Sequence, residues 1–179
     1  MSGLLWGLTA RPQTPPAPPR VEVPVEAVKL SDGTWRYGVR ITVGGKPVLA
    51  GIDTGASGLR VMPDAAVGMR AEETAQAEVF AFGSGARPAG VIGRAEISLG
   101  ALSAPISVHL VKDVTCITSK PNCPGRLGKG YGFLGNGLVG EGFRVLLGGS
   151  MGPTTVDTPL LAAGAQRWIL ELPRPGETA

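Results

Sequence analysis

The chain has 179 residues, a formal charge of +3, 28 Gly and 16 Pro, and only 17% of its residues are charged. One domain of this length can bury a real core, and frequent breakers between short apolar runs exclude a helical bundle and point to an all-β protein. Lys and Arg form no run of five, and aromatics make up only 5%, so nucleic-acid binding has no footing.

Residues 1–24 hold Pro12, Pro15, Pro16, Pro18, Pro19 and Pro24. Such composition favours extended polyproline and packs no core, so a flexible tail is expected, with a proline-motif ligand as the alternative. The domain then runs from 25 to 179. "WRYGVRITV" (35–43) alternates like a half-buried strand, Gly44–Gly45 reads as a hairpin turn, and "KPVLAGID" (46–53) is its return strand. "TGASG" turns, and "LRVM" (59–62) is a short strand. "AQAEVFAF" (75–82) alternates up to a turn in "GSGARPAG", "GVIGRAEISLG" (90–100) returns, and "PISVHLV" (105–111) is a further strand. A short helix is expected within 138–147, and "RWILEL" (167–172) reads as a closing strand.

No stretch reaches the roughly 18–20 apolar residues that span a bilayer, so no transmembrane segment is expected. The first residues also lack the basic start and long apolar run of a signal peptide. Cys116 and Cys123 flank a polar, turn-rich loop, "CITSKPNC", which favours a local disulfide over two unrelated thiols. A disulfide favours a periplasmic or secreted location. Zinc would need more ligands; His109 with the two cysteines is the only available set, and no metal or other cofactor is expected.

Two pattern matches lack their contexts. "GYGFLG" (130–135) fits a dinucleotide fingerprint but follows a loop rather than a buried strand. "GGSMG" (148–152) fits a nucleophile elbow, yet the only His precedes the Ser, and the elbow belongs to an α/β fold.

"VLAGIDTGASGLRV" (48–61) carries more. An apolar strand delivers Asp53, and burying an ionised carboxylate without partners costs several kcal/mol. Gly55 can take the tight turn that brings backbone N–H groups to the carboxylate. Thr54 can lock that turn through its hydroxyl. A plain β-turn Asp is the competing reading of this triplet.

The wider pattern resembles the pepsin-like aspartic proteases. "GIDTGASGLRV" looks like their first active-site motif, "VFAFGSGARPAGVIGRAEISLG" like the flap hairpin, and "YGFLGNGL" like the apolar-apolar-Gly element that closes the psi loop. The three blocks arrive in the family's order over roughly residues 35–148, about one lobe. The Asp-Thr-Gly-Ala start is similar to retroviral-type proteases, and the continuation to bacterial relatives of unassigned function. The resemblance implies an all-β, single-lobe acid-protease fold with a flap hairpin and psi loop. Asp53 would be catalytic, with Thr54, Gly55 and Ser57 in the active-site turn. Phe82, Gly83, Ser84 and Gly85 would form the flap, its tip mobile, and Phe133, Leu134 and Gly135 the psi loop. Phe82 departs from the family's usual Tyr and has no hydroxyl to donate.

Such chemistry needs two carboxylates sharing one proton. "VDTPLL" offers Asp157, but Pro159 stands where Gly is needed and has no N–H to donate. The expectation is therefore a homodimer that joins two copies of Asp53 across a twofold axis, with a polypeptide substrate. "RWILEL" is a candidate contributor to that interface. The alternatives are a silent lobe that binds extended peptides and a structural β-domain without a ligand.

Overall fold

The computed structural model describes residues 21–126, 131–152, 154–174 and 177. Most of the tail expected over 1–24 lies outside the described residues, although Val23 packs against the main core. The protein is all-β: the strands are β1 (Val25–Lys29), β2 (Trp35–Val43), β3 (Lys46–Asp53), β4 (Leu59–Val61), β5 (Ala71–Val79), β6 (Ala86–Leu99), β7 (Leu102–Cys116) and β8 (Val145–Gly148). The two helices, α1 (Pro63–Ala66) and α2 (Pro159–Ala162), are single turns.

Local chemistry sets the hairpins. Asp32 accepts hydrogen bonds from the backbone N–H and the hydroxyl of Thr34, which closes the β1–β2 turn. Gly44 and Gly45 have φ of 55° and 81°, the left-handed pair that a two-residue hairpin between right-twisted strands demands. The sheet order is β1-β2-β3-β8-β4-β7-β6-β5, and β2 also pairs with β6 through Thr42–Ser98 and Val43–Ile97. That extra pairing closes β2-β3-β8-β4-β7-β6 into a barrel. Only β3–β8 and β4–β7 are parallel.

Period-2 alternation sorts the side chains. Val39, Ile41 and Val43 of β2, Ala95, Ile97 and Leu99 of β6, and Ala104, Ile106, Val108 and Leu110 of β7 fill one core. In β8, Val145 and Leu147 join that core, whereas Leu146 points the other way into a second cluster with Met62, Val111, Val114 and Phe133. Phe80 and Phe82 pack on this second cluster from the β5–β6 hairpin.

The structure changes three expectations about elements. The helix expected within 138–147 is absent. Gly140 and Gly142 have φ of 87° and 85°, conformations that stop a helix, and Val145–Gly148 instead fills the slot between β3 and β4. The strand expected over 167–172 pairs with nothing among the described residues. The barrel has no vacant position for it, so Trp168 and Leu170 lie half-buried while Ile169 is 86% exposed. The wide turn expected at "GSGARPAG" shrinks to Gly83–Gly85. Hairpin bonds continue past β5, with the Phe80 N–H donating to the Pro88 carbonyl and the Phe82 N–H to the Ala86 carbonyl.

Among the described residues, no helix is long and apolar enough to cross a membrane.

Candidate active site

Asp53 is the last residue of β3, and β8 runs parallel beside it with Asp53 opposite Gly148. The carboxylate is half-buried, and its Oδ1 accepts the Gly55 N–H at 2.9 Å. The turn behind it is held by main-chain bonds. The Gly149 N–H donates to the Asp53 carbonyl at 2.8 Å, the Ser150 N–H to the Ala56 carbonyl, and the Gly148 N–H to the Gly58 carbonyl. A Cβ on Gly148 would lie 2.6 Å from the Ala56 carbonyl oxygen, so only glycine lets β8 approach the turn this closely. Thr54 and Gly55 are exposed, and Ser57 is buried. The Thr54 hydroxyl makes no hydrogen bond to any described residue, so the lock expected from it within one chain is not formed.

The apolar-apolar-Gly stretch expected beside Asp53 is not the one found there. Phe133, Leu134 and Gly135 do not lie beside β3; Phe133 forms an isolated bridge with Phe143. The apolar-apolar-Gly segment that reaches Asp53 is Leu146–Leu147–Gly148. Both stretches carry the same pattern in sequence. What separates them is a ladder position, which the pattern does not encode. Leu134 does have a marked backbone, with φ of 54°, the one positive value at a described non-glycine residue. Its carbonyl is held by Arg36 Nε at 2.9 Å.

The hairpin tip sits over the second cluster. Phe82 packs edge-on to Phe80 at 4.9 Å and lies 6.0 Å from Phe133. Ser84 Oγ accepts the Ala86 N–H. The tip expected to move freely is held from one side. Lys120 donates its ammonium to the Gly83 carbonyl, and the Ile117 N–H donates to the Gly85 carbonyl. Both residues belong to the loop closed by the Cys116–Cys123 disulfide, which is formed at an S–S distance of 2.05 Å. With both sulfurs bonded to each other, the zinc set of His109, Cys116 and Cys123 does not exist.

Asp157, set aside as a partner, is occupied elsewhere. Its carboxylate accepts from the Ser107 N–H and hydroxyl on β7.

Two buried polar residues, Arg60 and Glu78, went unnoticed in the sequence, and His109 was weighed there only as a zinc ligand. Arg60 is fully buried in β4, with its guanidinium 3.6 Å from the Phe80 ring centroid and Nη1 donating to the Ser57 carbonyl. Nε and Nη2 have no hydrogen-bond partner among the described residues. Burial pushes its pKa down to about 10, opposed by the nearby carboxylates of Glu78 and Asp53. His109, its register neighbour on β7, is also fully buried, with neither ring nitrogen bonded. Burial, and secondarily the Arg60 charge, lower its pKa to about 4, so the ring is neutral near pH 7. Glu78 of β5 is buried above them. The available signal was a lone Arg or His inside a short apolar strand, "LRV" and "VHL". Arg60 therefore links the Asp53 turn, through the Ser57 carbonyl, to the aromatic base of the hairpin.

A cleft of about 520 Å³ is lined by Phe82 and Ser84 of the hairpin together with Trp35, Tyr131 and Phe133. Ile52, the residue before Asp53, contributes to its wall.

No protein-family model matches the chain, and no curated protein matches it in sequence.

Proposed function

We propose that the chain is an aspartic endopeptidase, a single pepsin-like lobe that becomes active when a second copy brings another Asp53 against its own. The observation that carries this reading is the placement of Asp53. Its carboxylate ends an internal barrel strand, is oriented by the Gly55 N–H and is half-buried, one residue after Ile52, which lines a cleft that Phe82 and Ser84 of the hairpin also line; Asp53 itself is not part of that lining. The parallel β3–β8 pairing with β4 on the far side supports the psi-loop comparison. An exposed Thr54 hydroxyl with no partner among the described residues is consistent with a contact supplied by the second copy. The C-terminal segment adds apolar surface near the turn: the Trp168 indole nitrogen lies close to Gly149, with Ile169 and Leu172 exposed beyond it.

In the dimer, two carboxylates brought close cannot both ionise, so they hold one proton between them. The ionised Asp53 takes a proton from a water molecule while the protonated one donates a hydrogen bond to the scissile carbonyl. The water oxygen bonds to the carbonyl carbon. The proton then passes to the peptide nitrogen as the C–N bond breaks. Phe82 contributes packing rather than a hydroxyl, and the hairpin excludes solvent from the reacting bond.

The second reading is a silent lobe that holds extended peptides. It is favoured by the cleft's lining, which includes Phe82, Tyr131 and Phe133 but not Asp53. Sedimentation mass together with cleavage of an unfolded protein at acidic pH separates the two. The peptidase reading expects a dimer and turnover that is lost in Asp53→Asn by at least about a thousandfold. A strict monomer that binds peptides without turnover supports the silent lobe.

A further inference from the structure

The polar chemistry of the cleft is one-sided. Among the described residues no Asp or Glu lines it, and the polar side chains on its wall are Arg36, Tyr37, Tyr131, Ser84 and the Trp35 indole. All of them can donate hydrogen bonds, and Arg36 is the charged one among the described residues of the wall. Arg36 is fixed in place. Nε donates to the Leu134 carbonyl at 2.9 Å and Nη1 to the Trp35 carbonyl at 3.1 Å, which leaves Nη2 without a bond to any described residue. The Leu134 carbonyl it grips belongs to the one described non-glycine residue with positive φ. Backbone held off its preferred conformation at the wall of a cleft is a mark of a binding site. Tyr131 is buried beside this cation: burial raises its pKa, and Arg36 opposes the rise. The remaining wall is apolar, built largely from Phe82, Phe133 and Leu146.

We propose that this cleft recognises acidic peptides, seating a large apolar or aromatic side chain against Phe82 and Phe133 while Arg36, with the Tyr131 hydroxyl, binds the carboxylate of a neighbouring Glu or Asp. A cation already held by two carbonyls loses little freedom on meeting a carboxylate, and partial burial strengthens the contact. The chain's own net charge of +3 steers acidic segments toward it. This inference rests on the peptide-binding part of the proposed function and names its substrate class; it does not require turnover.

The test uses the full-length Asp53→Asn protein, so that hydrolysis plays no part. Fluorescence anisotropy compares labelled peptides with a central Phe flanked by Glu against the same peptides with Gln. Expected is at least about tenfold tighter binding of the Glu peptides, reduced to near parity in Asp53→Asn/Arg36→Met and weakened several-fold in Asp53→Asn/Tyr131→Phe. Equal binding of Glu and Gln peptides, no binding of either, or a Glu preference that survives Arg36→Met would overturn the proposal. The peptide comparison stands even where the Arg36 variant fails to fold. A wild-type protein that cleaves Gln peptides as readily as Glu peptides refutes the inference and leaves the peptidase reading intact. Selective binding without cleavage by the wild type does the reverse.

Discussion

At the scale of single residues, the chain places an imidazole and a guanidinium where apolar side chains would be cheaper. His109 and Arg60 are both fully buried, paired in register on neighbouring strands, and short of hydrogen-bond partners. The imidazole has a measurable consequence. An unfolded chain protonates His109 below its usual value near 6.5, whereas the folded protein does so only below about 4. Between those values the unfolded state binds more protons, so this residue's contribution to stability is present above about 6.5 and is lost as the pH falls toward 4. The loss amounts to about 3 kcal/mol at most. Urea midpoints from pH 7 down to 4 should fall more steeply for the wild type than for His109→Leu; parallel slopes would show that the ring is hydrated. Asp53 was legible in sequence because apolar strand, Asp, small hydroxyl residue and Gly form a contiguous run. Arg60 was not, because its importance comes from Phe80 and Ser57, which meet it only after folding.

At the scale of elements, regular alternation identified β2 and β3 with their actual ends, and the Gly44–Gly45 turn between them. Failures gathered where glycine made several backbones available. Between 131 and 148, two apolar-apolar-Gly stretches compete for the place beside Asp53, and strand pairing selects the second. The Cys loop offers a test at this scale. Closing so short a loop stabilises by about 2–3 kcal/mol, and that loop holds the hairpin tip through Lys120 and Ile117. Cys116→Ser/Cys123→Ser should therefore lower stability by this amount and speed amide exchange at Gly85 and Ile117. Unchanged exchange at those two amides would mean that the tip holds itself.

At the scale of the whole molecule, β3 and β4 are separated by a short turn in sequence, yet they are not neighbours in the sheet. β8 lies between them, bonded in parallel to one and antiparallel to the other. During synthesis, therefore, the first half of the chain emerges with a gap in its barrel. Local hairpins such as β2–β3 and β6–β7 can form early, since their contacts are near in sequence, while the parallel pairings bear a long loop-closure cost. The carboxylate at the end of β3 gains its neighbouring strand only when Val145–Gly148 has left the ribosome. A chain ended at residue 144 should show disordered amide resonances and a loss of cooperative unfolding, and a separate peptide spanning 143–150 should restore both in proportion to its concentration. The barrel is thus completed by a keystone of four residues, and the maturation of the Asp53 turn is timed by the emergence of Val145–Gly148 rather than by the emergence of Asp53 itself.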